Sequence, residues 1–192
     1  MRRGAWAAAI LLAAALLGWR AARRSPPVPV PGPEARSRLA LLEEILASRD
    51  DNDPRLDREF AGLSAEEKAL FRAAYAARPR ERLNERGTIV YLLGRNLTAP
   101  EDWAFLREVA AEPPCLSLAD CSKAAAAAGE HGDEVTLAYP SLVALRQAHR
   151  AAAEGASPSE ARSVLEAART SKAPAVTRLA RALAPGFDKK AP

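Results

Sequence analysis

Leu83-Asn84-Glu85-Arg86-Gly87-Thr88-Ile89-Val90-Tyr91-Leu92-Leu93-Gly94-Arg95-Asn96-Leu97 is followed by Thr98-Ala99-Pro100-Glu101-Asp102-Trp103-Ala104-Phe105-Leu106-Arg107-Glu108-Val109-Ala110-Ala111. Apolar residues run almost unbroken through the first half, then restart behind a helix-start signal. Leu83, Gly87, Val90, Gly94 and Leu97 share one helical face, and Ile89, Leu92 and Leu93 widen it, so the helix is expected to be buried on more than one side. Glycine costs a helix interior on the order of 1 kcal/mol relative to alanine. Gly87 and Gly94, a heptad apart, therefore suggest a notch for a close neighbour. Thr98 as N-cap, Pro100 in the first turn and Glu101 at the third position read as a capping box. Glu101 and Asp102 then sit at the positive end of a second helix, as solvated capping carboxylates. Trp103, Leu106 and Ala110 form its apolar stripe, flanked by Phe105 and Val109. The stretch predicts two helices folded back on each other.

Neighbouring segments read alike. Leu39, Leu42, Ile45 and Leu46 predict an amphipathic helix over 35–48, and Asp50-Asp51-Asn52-Asp53 breaks it. That acidic run lacks the spacing, central Gly and closing Glu of a calcium loop, and reads as a turn before a short helix over 54–61. Ser64 with Glu67, and Ser157 with Glu160, are further capping boxes. The first opens a helix through Leu70, Phe71, Ala74 and Tyr75; the second leads to Ala161, Val164, Leu165 and Ala168. Between them, residues 112–134 form one long irregular segment, and helical patterning resumes from Val135 with Leu142, Leu145, His149 and Ala152 on one stripe. Val176, Leu179 and Leu183 mark the last helix. No alternating Val/Ile/Thr-rich segment is long enough for a sheet, so the fold class is all-α, with about seven helices after an N-terminal apolar helix.

Helix, short turn, helix, with Gly94-Arg95 near the end of the first member, resembles a HEAT-like α-helical repeat. The resemblance implies stacked helical hairpins, a short α-solenoid, over residues 64–183, from which the 112–133 insertion departs. The wording of 83–121 is also similar to uncharacterised membrane-anchored or exported proteins of high-GC bacteria, a likeness that brings no activity with it.

Composition supports the same setting. Arginine outnumbers lysine 23 to 5 in the 192 residues, as in a GC-rich bacterial genome. The pI near 9.4 invites a nucleic-acid reading, but the excess charge sits in the wrong place. Residues 1–24 carry Arg2, Arg3, Arg20, Arg23 and Arg24 and no acid; removing those five from 28 leaves 23 basic against 24 acidic side chains, a net of −1. A nucleic-acid binder carries its basic patch on the folded domain. That partner class is excluded.

Residues 5–19, Ala-Trp-Ala-Ala-Ala-Ile-Leu-Leu-Ala-Ala-Ala-Leu-Leu-Gly-Trp, hold no charge and would span roughly 22 Å as a helix. Trp6 and Trp19 bracket the run as interface residues do, and Arg20 falls where a signal peptidase needs a small residue. Residues 1–24 are therefore expected to be a membrane anchor, with cleavage and secretion as the alternative. Ser25 to Pro33 (SPPVPVPGP) holds five prolines in nine residues, and residues 25–34 read as an extended linker. The helical domain is expected over 35–184 and a flexible tail over 185–192. The orientation expected is a single pass of the inner membrane with the domain in the periplasm.

Cys115 and Cys121 are the whole cysteine complement. Beyond an export segment, an even pair reads as a disulfide. Adding His131 and His149 gives a zinc alternative, but their spacing matches no common ligand motif. His149 reads as a packed core histidine and His131-Gly132-Asp133 as a turn. No phosphate loop, nucleophile elbow or paired metal carboxylates occur. No catalytic residue, cofactor, metal or small-molecule substrate is expected. The expected role is a membrane-tethered interaction or scaffold protein of the cell envelope with an unknown protein partner. The alternative is a small envelope enzyme or metal-dependent factor using the Cys115–His131 loop.

Overall fold

A computed structural model describes residues 31–187. The apolar run at 5–19, residues 25–30 of the linker and the last five residues lie outside the described residues. Within them the chain is all-α: eight helices, two short 3-10 turns and no strand.

Helix α1 (Pro33–Ser48) buries Leu42, Ile45 and Leu46. Arg49, with φ of 58°, ends it in the left-handed region. Asp50 and Asp53 then fold the chain back by accepting the backbone N–H groups of Asn52 (3.0 Å) and Arg55 (2.9 Å). The four-residue α2 (Arg55–Arg58) sinks Leu56, and Phe60 and Leu63 follow it into the core. Helix α3 (Ala65–Ala77) starts on the expected capping box: Ser64 Oγ accepts from Glu67 N, and Ser64 N donates to the Glu67 carboxylate. Helices α4 (Leu83–Gly94) and α5 (Pro100–Ala111) are the expected pair, and α4 buries nine of its twelve residues. The loop through 138 leads to α6 (Tyr139–Ala153), α7 (Pro158–Arg169) and α8 (Pro174–Phe187).

The packing order is that of stacked hairpins. α4 lies against α6, α5 against α7, and α6 against α8, each helix meeting the one two places on. Gly87 faces Tyr139 and Gly94 faces Gln147, so α4 and α6 run in the same direction. The two arms of the α4–α5 hairpin touch each other less than either touches α6, which wedges between them. The simple fold-back of the second helix on the first is thus replaced by packing through the next hairpin.

The glycines make that packing possible. A Cβ at Gly94 would come within 2.5 Å of the Gln147 Cβ, and one at Gly87 would collide with the Tyr139 ring. Both expectations about a notch are met, and its occupant is α6.

The α4–α5 turn departs from the expected cap. The N-cap is Ala99, and Asp102, not Glu101, closes the turn by accepting Thr98 N (3.0 Å) and Ala99 N (3.1 Å). Thr98 does not cap, because its hydroxyl accepts from Lys68 Nζ at 2.6 Å. Nor is Asp102 solvated: its side chain is 2% exposed and pairs with Lys68 at 2.6 Å and Arg72 at 2.9 Å. Burial by itself would raise its pKa, but the hydrogen bonds from Lys68, Thr98 and Ala99 outweigh burial and hold it below the usual carboxylate range.

Three further boundaries differ. Pro33 and Glu34, read as linker, already belong to α1, since proline is tolerated in a first turn. Ser157 adopts φ 36°, ψ 66° ahead of Pro158 and makes no side-chain cap. Residues 185–187, read as tail, continue α8, because the Phe187 ring is buried against His149 with centroids 5.3 Å apart.

Trp103 is 3% exposed, so Trp103→Ala should cost about 3–5 kcal/mol. Gly94→Leu should lower the melting temperature by overpacking Gln147, while Arg107→Ala on the exposed face of α5 should be nearly silent in the same thermal scan. Asp102→Asn leaves Lys68 buried without its counter-charge and should cost about 3–5 kcal/mol in urea titrations at neutral pH. Because the folded pKa of Asp102 is lowered, its contribution is complete above the unfolded value near ~3.9 and is lost as pH falls through the folded one. Wild-type stability should therefore drop more steeply with acid over that window than that of the Asn variant.

Candidate functional site

Where α6 rests on the glycine notch of α4, its outer edge leaves a groove. The floor is made by Leu56, Thr88, Leu142, Val143 and Gln147. Tyr91, Val135, Tyr139 and Arg146 form the walls, and Asp51, Asn52, Asp53 and Asp57 form one rim. The volume is about 550 Å³. A smaller hollow of about 280 Å³, bordered by Asp50, Glu81, Leu118 and Thr136, adjoins it across Asp51 and Thr88.

The rim is partly neutralised. Asp53 is bound by Arg55 through both its oxygens, and Arg55 also reaches Glu44 at 2.7 Å. Arg55 thereby lowers the Asp53 pKa. Asp57 is paired with Arg95 and accepts from the Tyr91 hydroxyl at 3.0 Å. Burial raises the pKa of Tyr91, and the Asp57 hydrogen bond raises it further. Among the described residues Asp51 accepts only a long contact, from Asn84 Nδ2 at 3.4 Å. Burial also raises the Tyr139 phenol, with the Asp51 charge adding to the rise and Arg146 opposing it, so both charges act across the groove.

The far wall is held by the loop at 112–138. Cys115 and Cys121 are both buried, with sulfurs at bonding distance and Cα atoms 4.0 Å apart. They pack with Leu83 and Leu137 in a small satellite of the main core. Cys121 N donates to Glu81 (2.8 Å), Cys115 N to Leu137 O (3.0 Å), and Leu118 N to Glu130 O (2.9 Å), so the loop is tied both to α4's start and to itself. Gly132 gives Leu118 and Leu137 room, since a Cβ there would come within 2.7 Å of Leu137. Asp133 accepts Thr136 N and Val135 N, each at 2.8 Å, and the Thr136 hydroxyl at 3.0 Å; these bonds, led by those from Thr136, keep its pKa low. The turn expected at His131–Asp133 is thus present, and it presents Val135 outward.

The residues considered as metal ligands are not gathered. His131 is exposed, His149 packs on Phe187, and the cysteines are tied to each other. Among the described residues no three His, Cys, Asp or Glu side chains converge as a metal-binding group. Sequence reasoning missed Tyr91, Val135, Tyr139, Arg146 and Gln147 as a surface. Two signals pointed to it: the paired glycines, which demand a close neighbour, and an apolar Val135 beside a charged turn.

No protein-family model, curated protein or solved structure matches this chain.

The cysteine pair yields a direct expectation. Both thiols should resist alkylation in protein extracted under acid quench and react after reduction. Cys115→Ser should cost about 2 kcal/mol, the loop-closure entropy of so short a ring, in a denaturant titration, with the helices retained by circular dichroism.

Proposed function

We propose that this chain is a membrane-tethered interaction or scaffold protein of the bacterial cell envelope, built from HEAT-like hairpins, that takes a protein partner in the groove between the Asp-rich turn, α4 and α6. One observation carries the proposal. The large apolar side chains that stay exposed among the described residues are Leu116, Leu118, Val135 and Tyr139, all within one loop and its junction with α6. Val135 and Tyr139 line the groove and Leu118 the hollow beside it, and exposed apolar groups gathered at a concave surface favour a contact site. Helices that meet two places apart give the extended surface that repeat proteins use for binding.

The tether rests on the uncharged run at 5–19 with its flanking arginines, and the spacer on the prolines of 25–33. A cysteine pair at bonding distance fits an oxidising compartment and hence an exported domain. Among the described residues no helix is long and apolar enough to cross a membrane, so the tether depends on the N-terminal run alone.

A photo-crosslinking residue introduced at Val135 in cells tests the reading. It should give a discrete adduct with another polypeptide that sediments with membranes after a high-salt wash. The same residue at Arg107, exposed on α5, should give none. Adducts at neither position, or equally at both, would remove the groove as the binding surface.

A further inference from the structure

The groove carries enough chemistry to say what kind of segment it takes. We infer that its occupant is an extended peptide segment of the partner protein in which a lysine or arginine lies beside an aliphatic or aromatic anchor. The inference rests on the interaction reading above.

Three features of the walls support it. The first is charge. Residues 49–57 carry four aspartates against Arg49 and Arg55, and with Arg95 paired to Asp57 the rim keeps a net of −1. Asp53 and Asp57 already hold arginines, so the carboxylate left to recruit a new cation is Asp51, which borders both hollows and has no ion pair among the described residues. The Tyr91 ring already carries the Arg95 guanidinium, 5.4 Å from its centroid, but Tyr139 stands in the same lining and a cation held at Asp51 can lie against its face.

The second feature is apolar. Val135 is 55% exposed and Tyr139 is 36% exposed, and with Leu142 and Val143 they line one side of a hollow large enough for an anchor side chain. Covering them removes apolar surface from water, at roughly 25 cal/mol per Å². An anchor and a cation a few positions apart would therefore be satisfied together.

The third feature is the direction of the hydrogen bonds. Gln147 is 8% exposed; its Oε1 accepts from Arg150 Nε at 3.1 Å, while its amide nitrogen donates to no group among the described residues. Arg146, on the adjacent wall, likewise makes no ion pair among the described residues. The groove therefore offers donors with no protein acceptor among the described residues. An extended backbone keeps free carbonyls, or a terminal carboxylate, to meet them, whereas a helix has already spent most of its carbonyls internally. The groove thus offers both a cation-taking carboxylate at Asp51 and donors at Arg146 and Gln147.

Selection of a phage-displayed library of short random peptides on the purified full chain tests the inference. Enriched peptides should combine Lys or Arg with an aliphatic or aromatic residue within a few positions. Their capture should be lost on the Val135→Asp protein. A synthetic peptide of the enriched sequence should bind Asp51→Asn about three- to fivefold more weakly, the worth of one partly exposed ion pair, and Asp51→Glu should restore it. Both positions are exposed, so these variants should melt with the wild type, which the same preparations check. Val135-dependent peptides that are neutral or acidic would overturn the cationic segment while leaving the groove as a docking site. Absence of any Val135-dependent enrichment would overturn both.

Discussion

The ammonium of Lys68 fixes the geometry on which the other elements depend. It is almost fully buried on α3, and its three protons go to Asn96 O, Thr98 Oγ1 and Asp102 Oδ2, at 3.0, 2.6 and 2.6 Å. A buried charge survives only when it is paired and every donor is used, and here both conditions are met. The acceptors all lie in one short stretch, the turn between α4 and α5 and the first turn of α5. Asn96 completes the knot: its amide donates to Phe60 O and Leu92 O and accepts from Leu63 N. The end of α4, the start of α5 and the approach to α3 are thereby locked to one another. Such a pair adds little net stability compared with an apolar core, but it tolerates few alternative registers.

A second buried cation sits on α4 itself, in its first turn. Arg86 reaches both oxygens of Glu112, stacks 3.9 Å from the Tyr75 ring centroid, and the Tyr75 hydroxyl donates to Glu112 as well. Burial raises the Tyr75 phenol further above its ordinary range, and the Glu112 charge adds to the rise, so it remains a neutral donor. With Lys68 at one end of α4 and Arg86 at the other, that helix is held in place and rotation. Only then can Gly87 and Gly94 present a fixed notch to α6. Arg150 confirms the register from the other side, donating to Gly94 O at 3.1 Å. The groove is a consequence of that seating, since α6 lies deep on α4 where the glycines are and its outer edge leaves space.

What the sequence disclosed follows from how local each cause is. Periodicity exposed the helices, because one amphipathic face is written within a dozen residues. The Ser64–Glu67 box was legible because both partners sit on one turn, and the Gly87/Gly94 notch because glycine is costly in a helix interior. Asp102 was misread as solvated because its partner, Lys68, is 34 residues away and nothing near Asp102 announces it. Thr98 failed as a cap for the same reason, its hydroxyl being claimed at long range. Phe187 looked like part of a fraying tail, and only the fold brings His149 beneath it. The groove drew on three separate segments, around 51–57, 88–91 and 135–147, so no local pattern could reveal it. The all-α class was legible throughout, while the site was legible only as a notch without an occupant.

The loop at 112–138 explains why the groove can stay open. A segment of this length without a regular helix would ordinarily fold its leucines and valine inward or remain unstructured. Here the bond between Cys115 and Cys121 shrinks its free length, and Glu81, Leu137 and Glu130 satisfy its backbone where it crosses α4. The apolar residues chosen for burial are the cysteines, Leu83 and Leu137; Leu116, Leu118 and Val135 are left outside because the anchored backbone has no freedom to bring them in. Val135 in particular is held outward by Asp133, which binds its N–H together with that of Thr136. Exposed apolar surface is thus maintained by covalent and hydrogen-bonded constraint on one side of the groove, while the Asp-rich turn supplies charge on the other.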